Sequence, residues 1–143
     1  MNKAKPTLLF ICVHNAGRSQ LAAGLAALRG GNQVTVLSAG LDPDKKVSDV
    51  ALASLAEAGI DHSDQTPRKL TNDLVAQADI VIALKPGLDL PQHDRVRYET
   101  WPLPDPAEWD IDGIRPLRDH LDAKVQQLLT ELPRLGIRRP PAA

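Results

Sequence analysis

Residues 12–19 read Cys-Val-His-Asn-Ala-Gly-Arg-Ser, between an apolar run at 8–13 and a segment at 19–28 rich in small residues. A strand that ends on a thiol, a short polar turn, and Arg and Ser opening a helix together form a geometry for wrapping a tetrahedral oxyanion. The backbone N–H groups point inward, the helix dipole favours negative charge, and the guanidinium adds a two-pronged planar donor. The same field favours the thiolate, which is the nucleophilic form of cysteine. By composition alone, Arg and Ser fall six and seven places after a given Cys about once in 400 cases. A cysteine that merely fills the core would more often have apolar neighbours than this polar loop.

The flanking segments place this loop in an α/β fold. Residues 7–13 form a continuous apolar run, which suits a strand buried on both faces of a parallel sheet. Leu21, Leu25 and Leu28 recur at helical spacing, Ala and Gly between them permit close packing, and Gly30-Gly31 ends the helix. A second strand is expected at 33–38, a loop at 41–46, and a helix at 48–58 with Ser48 as N-cap. After a polar loop, Thr71 caps a short helix that ends at Gln77. Residues 79–84 (DIVIAL) read as a third buried strand and 95–100 as a fourth, less buried one. The stretch 101–112 holds three prolines and both tryptophans, which predicts an ordered loop. The longest helix is expected at 114–132, stopped by Pro133.

This alternation predicts a three-layer α/β/α sandwich on a four-stranded parallel sheet with right-handed crossovers. Ligands of such sheets lie beyond the carboxyl ends of the strands, where strand order switches. Cys12 and the loop at 101–112 both follow strand ends, so they can meet at one mouth.

The 143 residues, 43% hydrophobic and 24% charged, suit one domain over 1–143, with 134–143 as a flexible, proline-ended tail. A net charge of -1 gives no basic field for nucleic acid or an acidic membrane. The opening residues imitate a signal peptide, but the apolar run stops well short of the roughly twenty residues of a membrane span. One cysteine rules out an intramolecular disulfide, and the four histidines have no metal-ligand spacing, so no metal is expected. A cytoplasmic protein is the reading that fits.

Cys12 to Ser19 followed by Gln20, together with Asp105-Pro106 far downstream, resembles the low-molecular-weight protein tyrosine phosphatase superfamily, particularly its arsenate reductase branch. Arg-Ser-Gln looks like the reductases, whereas the phosphatases commonly carry Arg-Ser-Pro. The whole motif is most similar to arsenate reductases coupled to a small thiol such as mycothiol. The resemblance implies a low-molecular-weight phosphotyrosine phosphatase-like fold, Cys12 as nucleophile and Arg18 as the clamp on equatorial oxygens. Val13, His14, Asn15, Ala16, Gly17, Arg18 and Ser19 would then form the oxyanion loop. Ser19 would donate to the thiolate, Asn15 would hold a left-handed turn with Ser38 as partner, and Asp105 would be the general acid. Gln65 stands where relatives often place a histidine that supports the loop asparagine.

The resemblance implies no bound cofactor. It implies arsenate or phosphate as the oxyanion, an external thiol (mycothiol or similar) as co-substrate, and a mycoredoxin- or glutaredoxin-like reductant. Thioredoxin-coupled relatives resolve their adduct through further cysteines, and the third strand's end, Ala83 to Gly87, has none. Two other readings use the same residues: a tyrosine phosphatase working through phosphocysteine, and a non-catalytic oxyanion-binding module. His14 either contacts substrate or only lines the loop. Trp101 and Trp109 read as packing residues, with a mouth-lining role open for Trp109.

Overall fold

A computed structural model describes residues 5–135, so the tail expected at 134–143 lies, from 136 onward, outside the described residues. Strand β1 (Thr7–Cys12) is buried at every position, as its unbroken apolar run requires of a central strand. It pairs in parallel with β2 (Thr35–Gly40) on one side and β3 (Ile80–Ala83) on the other. Strand β4 (Arg97–Thr100) pairs in parallel with β3, giving the order β2-β1-β3-β4. β4 is an edge strand and is only partly buried, with Arg97 and Thr100 exposed.

Alternate residues of β1 feed two cores. Leu8, Phe10 and Cys12 face a cluster built with α1 (Arg18–Gly30), α2 (Asp49–Glu57) and α4 (Ile111–Glu131). Leu9 and Ile11 face a smaller cluster with Leu74 and Val75 of α3 (Asn72–Gln77). The expected sandwich, with helices on both faces of a four-stranded parallel sheet, is what forms. Small residues at Ala22, Ala23 and Ala26 let α1 lie close on the sheet, and all three are buried.

Boundaries differ from the sequence expectation in two places that bear on function. β2 runs two residues past Ser38, because Ala39 and Gly40 stay in register with Ile11 and Cys12. Helix α4 starts at Ile111 rather than 114, since the Asp110 carboxylate caps it by accepting the Gly113 N–H at 2.9 Å. Pro116 then lies inside the helix, at an exposed position. None of the described helices is long and apolar enough to cross a membrane.

Candidate active site

The chain order reverses direction across the sheet at β1, and the loop leaving β1 occupies that switch point. Six successive carbonyls, from Cys12 to Gly17, each accept a hydrogen bond. The Cys12, Val13 and His14 carbonyls take the N–H groups of Leu41, Asp42 and Asp44, at 3.3, 2.8 and 2.9 Å. The Asn15 carbonyl takes the Gln20 side-chain amide at 2.9 Å. Ala16 and Gly17 accept from the Ser48 and Leu21 N–H groups at 3.0 and 2.9 Å. In a trans peptide the N–H points opposite to its C=O. With the carbonyls held on the outer side, the N–H groups of the loop are turned toward its concave side, which can receive an anion.

The loop lies directly on the end of β2. A Cβ on Gly40 would come 2.6 Å from the Val13 carbonyl oxygen and 2.9 Å from the Asn15 nitrogen, so only glycine allows this approach. Asn15 is the one non-glycine residue with positive φ among those described, at 52°, a conformation asparagine adopts more readily than most. It is fully buried, as are Ser19 and, to within 1%, Gln20.

These buried polar groups form a chain that leads to the sulfur. The Arg68 backbone N–H can only donate, and it donates to Asn15 Oδ1 at 2.9 Å. Asn15 Nδ2 then donates to Ser19 Oγ at 2.7 Å. The Ser19 hydroxyl oxygen lies 2.9 Å from Cys12 Sγ and donates its hydrogen there whenever the sulfur is ionised. With a thiolate at Cys12, which can only accept, every donor in the chain points toward the sulfur. No buried side-chain nitrogen or oxygen among the described residues lacks a partner.

Arg18, 6% exposed, donates from Nη1 to the Leu103 carbonyl at 3.2 Å, which ties the helix start to the loop after β4. On that loop the exposed Asp105 accepts the Ala107 N–H at 3.1 Å, and Pro106 packs toward Gly17. Cys12, His14, Arg18, residues 44–48 and residues 105–107 line one cavity of about 410 Å³. The two loops expected to share a mouth therefore do. His14 lines this mouth, with Nδ1 2.9 Å from the Asp42 carbonyl and 3.6 Å from the Asp44 carboxylate. Trp109 is not among the lining residues and is half-buried against the main core. Trp101 packs on Phe10, with 6.0 Å between ring centroids, and holds the Lys124 ammonium 5.1 Å from its own ring.

The pairing of Asn15 with Ser38 is corrected. β2 places Gly40, not Ser38, beneath Asn15, and Asn15 bonds Ser19 and Arg68 instead. Ser38 joins one step away, where its carbonyl accepts Arg68 Nε at 3.0 Å. Gln65 is exposed and bonds the adjacent Asp64, so it does not take the place of the supporting histidine. Sequence reasoning misses Gly40, Arg68 and His62, whose Nε2 lies 2.7 Å from Gln20 Oε1, as parts of the site. Gly40 had a signal, a glycine at a strand end facing a crowded loop, whereas Arg68 acts through its backbone, where residue type says nothing.

The chain matches the family described as "Low molecular weight phosphotyrosine protein phosphatase" over residues 7–136. It is 35% identical over 127 residues to Arsenate reductase 1 of Staphylococcus epidermidis, spanning 85% of this chain and 94% of that protein. Glutaredoxin arsenate reductase of Synechocystis sp. is 32% identical over 128 residues, covering 87% and 97%. Among solved structures, a thioredoxin-dependent arsenate reductase of Corynebacterium glutamicum superimposes with a TM-score of 0.80 at 34% identity. That match covers 92% of this chain, which spans 63% of the Corynebacterium chain's length. On the family match over residues 7–136 and the near end-to-end relatives, this chain belongs to the low molecular weight phosphotyrosine protein phosphatase family.

Proposed function

We propose that this chain is an arsenate reductase whose Cys12 adduct is resolved by an external thiol. The observation that carries the reading is the chain Arg68–Asn15–Ser19–Cys12 inside a loop whose mouth also holds Arg18 and Asp105. Its relatives named arsenate reductases give the oxyanion its identity.

In the first step the Cys12 thiolate attacks arsenic in line. An S–As bond forms, an As–O bond breaks, and Asp105 supplies the proton with which the oxygen leaves as water. The loop N–H groups and the Arg18 guanidinium hold the charge that develops on the remaining oxygens. The 143 residues hold one cysteine, so no second thiol of this sequence can attack the adduct. A small thiol of the mycothiol type therefore takes the arseno group, forming a new S–As bond and releasing Cys12 as thiolate. No electrons have yet moved. A second thiol, on a mycoredoxin- or glutaredoxin-like protein, attacks the sulfur of that adduct; a disulfide forms and the electron pair of the S–As bond leaves with arsenic as arsenite.

The family match favours one second reading, hydrolysis of phosphomonoesters through phosphocysteine, with water in place of the thiol. Among the described residues no tyrosine, tryptophan or phenylalanine lines the mouth, so none of them sandwiches a phenyl ring there. Arsenate turnover with mycothiol, glutathione and thioredoxin systems, measured beside hydrolysis of an aryl phosphate, separates the two. Small-thiol-dependent arsenite formation is the expected result. Rapid aryl phosphate hydrolysis without thiol-dependent arsenite formation would make the chain a phosphatase.

A further inference from the structure

Five of the six carbonyls on the outer rim of the loop are held by backbone N–H groups, which mutation of a side chain does not remove. The sixth, that of Asn15, is held by a side chain alone, the Gln20 amide. It belongs to the residue with the left-handed backbone, the point where the loop has the least conformational preference for its own shape. Gln20 is in turn oriented. Its Nε2 must face a carbonyl, so its Oε1 faces His62 Nε2, 2.7 Å away, and that nitrogen must carry the hydrogen. Burial holds the His62 pKa below its ordinary value against the opposing pull of Asp64 and Asp61, and the neutral ring with hydrogen on Nε2 serves as donor. The ring's other nitrogen is directed toward Gly24, where an added Cβ would lie 3.4 Å from it.

We propose that Gln20 and His62 are positioning residues for the oxyanion cradle. His62 fixes the Gln20 amide, Gln20 pins the Asn15 carbonyl outward, and the peptide joining Asn15 to Ala16 thereby presents the Ala16 N–H to the anion. Support for the loop asparagine, absent at Gln65, thus enters through a residue three places earlier in the chain and a buried amide between. This rests on the cradle binding an oxyanion as proposed above.

The test uses the full chain, with iodoacetamide alkylation of Cys12 as the readout and inorganic phosphate or arsenate as protectant. Wild-type protein is expected to be protected by both anions. Gln20→Met keeps the side chain's bulk but removes the amide, and it should raise the phosphate concentration for half-protection by about tenfold; His62→Ala should raise it by about fivefold. His62→Gln carries an N–H donor near the position of Nε2 and should return the value to within about twofold of wild type. A purely packing role would lower Tm in His62→Ala and leave half-protection unchanged, and that result overturns the proposal. So does a His62→Gln variant no better than His62→Ala. Should Gln20→Met fail to fold, the two His62 variants decide alone. Absence of protection in the wild type would overturn the cradle reading itself, and is told apart by appearing before any substitution.

Discussion

The loops after β1 and after β4 meet at one mouth but are built in opposite ways. The first buries the polar side chains that shape it: Asn15 and Ser19 are fully buried, and every carbonyl from Cys12 to Gly17 is bonded. The second is anchored by apolar side chains, with Trp101, Leu103 and Pro106 buried, while Asp105 stands exposed with its carboxylate on the Ala107 N–H. The difference suits the roles proposed for the two loops. Donors aimed at developing charge act best when they need no rearrangement during the reaction, which requires a rigid, satisfied shell. A general acid must recover its proton each turnover, so it needs contact with solvent. Arg18 bridges the two, in the first loop by sequence and bonded to the Leu103 carbonyl of the second.

The sharpest way to break this division of labour is Cys12→Ser. Turnover should vanish, while phosphate and arsenate binding, followed by isothermal titration calorimetry, should persist, because the cradle donors are backbone and Arg18. Turnover close to wild type would remove Cys12 as nucleophile. Asp105→Asn comes next and acts on the second loop alone. The chemical step should slow by about 100- to 1,000-fold with anion affinity little changed, read from single-turnover rates beside binding. A parallel loss of affinity would mean that the second loop shapes the cradle as well.

Gly40→Ala attacks the first loop from outside. The added methyl would meet the backbone of Val13 and Asn15, neither of which is a flexible side-chain end, so the loop must lift from β2. A loss of about 1–3 kcal/mol in stability by urea unfolding is expected, together with weaker phosphate binding. Stability lost with binding intact would show that the cradle holds its shape without its seat on β2.

The contrast also explains what the sequence made legible. β1 and the Cys12–Ser19 motif were readable because a buried parallel strand leaves an unbroken apolar run, and the loop's spacing is rare by chance. The acid role proposed for Asp105 rests on the resemblance alone, since an aspartate between prolines also suits an ordinary turn. The shell behind the loop was not readable. Asp42, Asp44, Ser48 and Arg68 serve through backbone N–H groups, which leave no mark on residue type. Gln20 and His62 are 42 positions apart and meet only because the 60–69 segment folds beside α1. The Ser38 expectation failed for a related reason: a shift of two residues in where β2 ends keeps the face but changes which side chain lies under the loop.

The smallest effect concerns the helices behind the two loops. α2 follows the segment whose N–H groups hold the first loop, and α4 follows the second loop. The exposed Glu57 of α2 accepts from Arg115 and Arg118 of α4, an ion-paired clasp between the two supports. Hydrogen bonds from Arg115 and then Arg118 lower the Glu57 pKa from its ordinary 4.5 to about 2. A carboxylate lowered in the folded state contributes stability above its unfolded value, and that contribution is lost as pH falls through the folded one. The wild type should therefore lose this clasp between about pH 4.5 and pH 2, whereas Glu57→Gln should show a shallower fall of stability across that window and converge with wild type at its acid end. Because the pair is exposed, added salt should shrink the difference at neutral pH. If the clasp also sets the spacing of the two loops, the variant's arsenate turnover will fall with its stability; unchanged turnover would confine Glu57 to holding the helices together.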